Sequence, residues 1–292
     1  VEKFIYTGTG GFSQQDSIIA GHIETDFELN VIKHNDTTFI NKKHFEVHTD
    51  LIFNEHTGIL DIQPSGIVME NGDFELKGSI DIKNDVNLDL SIQGTKPNFD
   101  MFIAFAPADI IPVLEKYRNA GEIYFNANIK GASNKGNRPF FNADFGAKKA
   151  FLENTEKGKK IDNMGFEGHF TNGENRDAST MEFSLTDMTA SLEKGEFKGA
   201  IVVKNFEAPE IDMQIDSNFN LNFIADFFEL EQVQGASGQV SLKMNFHDIV
   251  DIDKPETALQ KLNQAYFAQL QVKDLSFDAK NLPVPLDLSL IH

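Results

Sequence analysis

The sequence predicts a mainly β protein: an elongated, twisted antiparallel sheet of repeated β units curled into a groove, with two or three short helices. Three observations carry this expectation. Polar and apolar residues alternate with a period of two over many short segments, short turn signals separate those segments, and one order of elements occurs twice. Alternation gives each strand one apolar and one solvated face, as antiparallel sheets show. Turns this short suit consecutive hairpins, not βαβ crossovers.

Along the chain, Phe74, Leu76, Ile80 and Ile82 alternate with polar neighbours in 73–82, and Leu88, Leu90 and Ile92 do so in 87–92. Ile123, Phe125 and Ile129 follow the same rule in 122–129. Later come Ile201 and Val203, then Ile211, Met213 and Ile215, then Leu242, Met244 and Phe246. Strand parity puts each set on one face, and these side chains are the candidate lining of a continuous apolar surface. Turn signals are Asn71-Gly72, Lys83-Asn84-Asp85, Gly94-Thr95-Lys96-Pro97, Asn172-Gly173 and Lys194-Gly195.

Three segments read as helices capping a sheet end or edge. Residues 107–119 carry a stripe of Ile110, Ile111, Val113, Leu114 and Tyr117 before Gly121. Residues 221–234 carry Phe223, Phe227 and Leu230 before Gly235, and 255–270 carry Leu259, Leu262, Tyr266 and Phe267.

The repeat organises the chain. Gly72 aligns with Gly195 at an offset of 123, Gly78 with Gly199 at 121, Asn98-Phe99 with Asn218-Phe219 at 120, and Gly121 with Gly238 at 117. Strand, strand, strand, helix, strand is thereby expected twice, with small insertions in loops. The expected division of this single elongated region is leading strands in 1–64, one repeat in 65–150, a second in 151–250, and the start of a further unit in 251–292. The N-terminus, Val1 to Phe4, lacks an initiator Met and a signal-peptide pattern, the C-terminus stops at Leu290-Ile291-His292 within a strand-like pattern, and the chain reads as a segment of a longer protein.

Composition narrows the function. With 26 Lys and Arg against 45 Asp and Glu, the formal charge is −19, which disfavours binding to nucleic acid or through a basic face to an anionic membrane. Cysteine is absent, so thiol catalysis, disulfides and thiolate metal sites are excluded. The aromatics are 27 Phe, 4 Tyr and no Trp. Phe fills wholly apolar space without needing a hydrogen-bond partner.

Chemistry-bearing motifs are sparse. His44 and His48 lie on one face of a strand but roughly 13 Å apart, too far to ligate one ion. His247-Asp248 with Asp251 and Asp253 is an acidic turn leading to a helix, without the glycine and terminal glutamate of a calcium loop. Gly8-Thr9-Gly10-Gly11 lacks the Lys-Ser/Thr of a phosphate loop, and Lys157-Gly158-Lys159-Lys160 reads as an exposed loop. No hydrolase motif is present. The expectation is no catalytic residue, no metal, no cofactor and no enzyme.

Four stretches carry a resemblance: Gly78 to Lys83 with Leu88 to Gly94; the segment ending in Gly121 to Gly131; Pro139 to Phe145 with Ile161 to Gly168; and the second copy, Gly195 to Asp248. In these the chain resembles the AsmA-like family of Gram-negative envelope proteins of the Bacteroidetes type, relatives of TamB and the bridge-like lipid transfer proteins. The resemblance implies a taco-like β groove facing the periplasm, an inner-membrane anchor in the full-length protein, and phospholipid or other acyl lipid as the partner in outer-membrane biogenesis. The chain departs from the family in carrying no anchor segment. An acyl tail of about 16 carbons leaving water gains roughly 12 kcal/mol, which a continuous apolar groove matches along its path. The alternative is a structural or adhesive β-repeat module with a closed core and no lipid ligand, whose inner face would alternate in the same way.

Overall fold

A computed structural model describes residues 4–34, 37–106, 111–230, 235, 237–249 and 267–276. Strand makes up 70% of it, in a single open antiparallel sheet. The strands are β1 (Phe4–Gln15), β2 (Ile18–His34), β3 (Thr37–Asn54), β4 (Ile59–Met69), β5 (Gly72–Asp81), β6 (Asn87–Lys96) and β7 (Tyr117–Ala132). They continue as β8 (Phe140–Asn154), β9 (Lys159–Thr171), β10 (Glu182–Leu192), β11 (Gly195–Lys204), β12 (Glu210–Asn220), β13 (Ser237–Ile249) and β14 (Phe267–Ser276). All 14 pair in sequence order, β1 and β14 forming the two edges and each of the others pairing with the strands before and after it. Thirteen steps of about 4.8 Å make the sheet about 60 Å long from β1 to β14.

Register joins the apolar faces into one. Val47 pairs with Ile67 and Ile67 with Phe74; Leu76 pairs with Ile92, Ile92 with Ala127 and Ala127 with Ala143. Farther on, Phe183 pairs with Val203, Val203 with Ile211, Met213 with Phe246, and Met244 with Ala268. The partner face carries Glu75, Asp89, Asp144 and Asp212, with ion pairs such as Lys130–Asp89 at 3.3 Å and Lys243–Asp216 at 3.7 Å. Exposed pairs of this kind contribute about 0–1 kcal/mol each.

Bulges turn the alternation over without breaking the face. In β4, Ile62 and Ser65 face Gly78 and Leu76, so the extra residue falls at Gln63-Pro64, where proline has no ladder hydrogen bond to lose. In β10, Leu185 and Met188 face Ile201 and Gly199, and Asp187 carries φ 51°. The two bulges are 123 residues apart, as Leu185 is from Ile62. A second pair falls at Lys149 in β8 (φ 50°) and Asp274 in β14 (φ 54°). Strand, strand, strand, helix, strand thus runs through β4–β7 and again through β10–β13, with bulges in matching strands.

Three short helices lie on the apolar face along one rim. α1 (Asp100–Phe105) and α2 (Ile111–Leu114) link β6 to β7, and α3 (Leu221–Phe227) follows β12. The expected helix at 107–119 is therefore corrected. Helix begins earlier, at Asp100; Pro112 cannot donate to a preceding turn; and Tyr117 is already paired with Asn154 of β8. Residues 107–110 lie outside the described residues.

The expected helix at 221–234 stops at Phe227, and 231–234 lies outside the described residues. Leu230 N–H donates to Ala225 O at 2.9 Å and Glu229 N–H to Asp226 O at 3.3 Å, with Glu229 at φ 53°. That pair of bonds is the Schellman ending, here without its usual glycine, so the sequence signal was missing. Of the expected third helix, 255–266 lies outside the described residues, and Phe267 to Leu270 is strand, paired with β13. Gly94-Thr95-Lys96 is likewise the end of β6 and not a turn, paired with Ile123 to Phe125.

The sheet is curled. Tyr117 Oη–H donates to Phe227 O at 3.0 Å, and Asn154 Nδ2–H donates to the same oxygen at 3.0 Å. These bonds join β7 and β8 to the helix after β12, strands that a flat sheet would hold roughly 20–25 Å apart. No helix of the described residues is long and apolar enough to cross a membrane.

Candidate functional site

The inside of the curl is the candidate site. Of the expected lining, Phe74, Ile123 and Phe246 are buried, while Leu76, Ile80, Leu88, Leu90, Ile92, Phe125 and Ile129 are half-buried. Ile201, Val203, Ile211, Met213, Ile215, Leu242 and Met244 are half-buried too, and register places all of these on the one face. Ile82 is the exception: β5 ends at Asp81, and Ile82 lies in the following turn, 49% exposed. The Asp81 carboxylate takes the backbone N–H groups of Lys83 and Asn84 there, and its bond to the Asn84 side chain holds its pKa below the usual value.

Sequence reading missed much of the lining. Phe27 and Phe45 stack at 5.1 Å between centroids, Phe141 meets Phe170 at 5.7 Å, and Phe145 meets Phe183 at 6.2 Å. The signal was present in Phe141-Asn-Ala-Asp-Phe145, which alternates cleanly, but the bulge at Lys149 reverses parity after it. Glycine lets some rings lie flat on the floor: a Cβ at Gly168 would come within 2.2 Å of the Phe145 ring.

Two clusters anchor the helices to this face. Met101 and Ala104 of α1 are buried with Met69, Phe74 and Ile123, and Phe102 reaches Phe145 at 5.9 Å and Phe166 at 5.8 Å. Phe223 and Phe227 of α3 are buried with Ile161 and Leu192. α1 and α3 each also have a carbonyl at their end satisfied from earlier strands, as helix ends require. Lys43 Nζ donates to Ala106 O at 2.7 Å just beyond α1, and Tyr117 and Asn154 donate to Phe227 O. Burial, then the nearby Glu229 charge, raises the Tyr117 pKa, which keeps its hydroxyl a donor.

Between α1–α2 and α3 a cleft of about 320 Å³ opens. Phe99, Phe102 and Ile103 form one wall and Phe227 and Phe228 the other, with Val113 and Leu114 beside them. Its floor is Tyr117, Asn119 and Leu152.

On the outer face, histidines sit among carboxylates. His22 Nδ1 is 2.7 Å from Asp50 Oδ1, His169 Nδ1 is 2.6 Å from Asp144 Oδ1, and His247 Nδ1 is 2.5 Å from Asp212 Oδ1. His247 is thus a strand residue and not part of a helix-leading turn; Asp251 and Asp253 lie outside the described residues. Asp26, His44 and Glu46 converge to within 4.8 Å, as do Glu210, Asp212 and His247, and these are the groups able to approach one cation. All are solvated, and the imidazole nitrogens already face carboxylates.

The glycines at 8–11 belong to the extended edge strand β1 and not to a loop. Lys159 and Lys160 open β9 instead of lying in a loop, with Lys160 Nζ 4.2 Å from the Phe151 ring centre. No family model, curated protein or solved structure matches the chain.

Proposed function

We propose that the chain is a lipid-binding segment of a lipid conduit, whose inner face carries the acyl chains of a phospholipid or other acyl lipid. One observation supports this most directly: a single-layer sheet bears one apolar face from β3 to β14, and most of the expected lining on it is only half-buried. An apolar surface of this extent is costly in water without an occupant. The acidic outer face keeps such a trough soluble. The resemblance to AsmA-like envelope proteins supports a periplasmic setting, an inner-membrane anchor in the full-length protein, and a part in phospholipid transport to the outer membrane. The role is carriage, not catalysis, and no nucleic acid is involved.

The closed-core alternative needs a second layer over the inner face. Among the described residues only the helices cover it, along one rim. The test uses strand parity. A photo-crosslinker at Leu90 captures lipid in cells and one at Asp89 does not. Leu88→Asp puts a charge in the path and blocks transfer, while the open trough hydrates the carboxylate and the chain stays folded. In a dry core the same change costs several kcal/mol and unfolds the chain. An unfolded Leu88→Asp variant, with no lipid captured at Leu90 in the parent, removes the conduit reading.

A further inference from the structure

We propose that the cleft between α1–α2 and α3 is a second binding site, for one aliphatic chain, and that it selects on the chain and not on the headgroup. The inference rests on the lipid reading of the trough and gives its helical rim an occupant of its own. The cleft holds about 320 Å³, at the small end for ligand sites. Among the described residues, each polar side-chain atom of its lining already has a partner. Tyr117 Oη–H donates to Phe227 O, Asn119 Oδ1 accepts from Phe99 N–H at 2.8 Å, and Asn119 Nδ2–H donates to Tyr117 O at 3.2 Å. A peptide or sugar entering it would forfeit its bonds to water and find no replacement. A hydrocarbon chain forfeits nothing.

Charge at the mouth points the same way. Lys116 Nζ lies 3.9 Å from Glu229 Oε2, and the Asn154 amide also donates to Glu229, at 3.1 Å. The two charges offset each other, so neither an anionic nor a cationic headgroup gains there. Val113 and Phe228, 51% and 50% exposed, face this one opening. Phe102 lines the cleft and also packs on Phe145 and Phe166 of the trough floor. A chain therefore passes from trough to cleft along a continuous aromatic surface without entering water.

The test labels the whole chain with two probes, hexadecanoic acid and hexadecan-1-ol, each with a photoreactive diazirine near the methyl end, and maps adducts by peptide mass spectrometry. Both probes are expected to label the segments containing Val113 and Phe228, with yields within about threefold of each other, because no charge in the cleft separates them. Val113→Asp with Phe228→Asp lowers that labelling by about tenfold or more while labelling of β5 and β6 persists. Val113→Trp, which fills the cleft without adding charge, does the same and serves if the double variant melts early. Labelling of the sheet face alone overturns this site and leaves the conduit standing. A preference of about tenfold for the acid overturns the indifference to headgroup. Cleft labelling that survives Val113→Trp overturns the site, and labelling nowhere overturns both readings.

Discussion

The two helix-bearing regions, β4–β7 with α1 and β10–β13 with α3, share an order of strands and differ in how the helix meets the floor. At the end of β6, Leu88, Leu90 and Ile92 are followed by Gly94; at the end of β12, Ile211, Met213 and Ile215 are followed by Ser217. A Cβ at Gly94 would lie 2.5 Å from Met101 Sδ and 2.8 Å from Asp73 O, so α1 comes down onto bare backbone. Ser217 is buried and its hydroxyl donates to Glu196 O at 3.0 Å, and α3 reaches its neighbours with two phenylalanines instead. One topology is thus packed by close approach in the first region and by bulk in the second. What is shared is the strand order and the bulges; what varies is the filling.

The largest effect that would break this comparison is at the buried anchors. Phe223→Ala is expected to cost about 3–5 kcal/mol and Met101→Ala about 2–5, toward its lower end, because a helix seated on glycine settles into a smaller void. Denaturant melts of both variants rank them, and a larger loss for Met101→Ala contradicts the distinction.

Next come the floor positions. Gly94→Ala overpacks and costs about 1–3 kcal/mol. Ser217→Ala removes one hydrogen bond and costs about 1 kcal/mol, with some excess for the carbonyl left behind. Met101→Ala should recover part of the Gly94→Ala loss and none of the Ser217→Ala loss. A double-mutant cycle reads this directly.

Tyr117→Phe probes the tie between β7 and α3. It is expected to cost about 0.5–1.5 kcal/mol, because Asn154 still donates to Phe227 O. Hydrogen exchange should quicken in α3 and stay unchanged in α1; equal quickening in both would mean that the tie is global.

The smallest effect lies away from both helices. Bonds to Asp50 and then Glu24 raise the His22 pKa above 6.5. A raised folded-state value favours the protonated form, so the stabilisation is present below the unfolded pKa and is lost as pH rises through the folded one. NMR titration should place the His22 midpoint above 6.5, and Asp50→Asn should lower it. No shift between parent and variant would remove the contact's role.

Much of this was legible in the sequence because the signal is local. A strand with one solvated face must alternate, so Leu88 to Ile92 and Ile211 to Ile215 declared their faces, and Asn71-Gly72 and Lys194-Gly195 declared their hairpins to within one residue, Gly72 and Gly195 being the first residues of β5 and β11. Three things were not legible. The bulges at Lys149 and Asp187 reverse parity within β8 and β10 without a marked residue, which breaks the alternation there. Glu229 takes a conformation usually left to glycine, which hid the end of α3. The cleft depends on Tyr117 and Phe227, 110 residues apart, and no pattern within either segment records that the curl brings them together.

The unbroken sequence order of the strands has a consequence for how such a molecule is made and lengthened. Each strand needs only its predecessor to pair, so the sheet can assemble from one end as the chain emerges, with few long loops to close first. Nor, among the described residues, does any strand return to seal the first against the last, as a barrel would require. The length of the trough is therefore set by counting: every added strand extends it by about 4.8 Å, and every six-strand period by about 29 Å. A gene that duplicates one period changes the distance spanned while leaving every existing pairing in place.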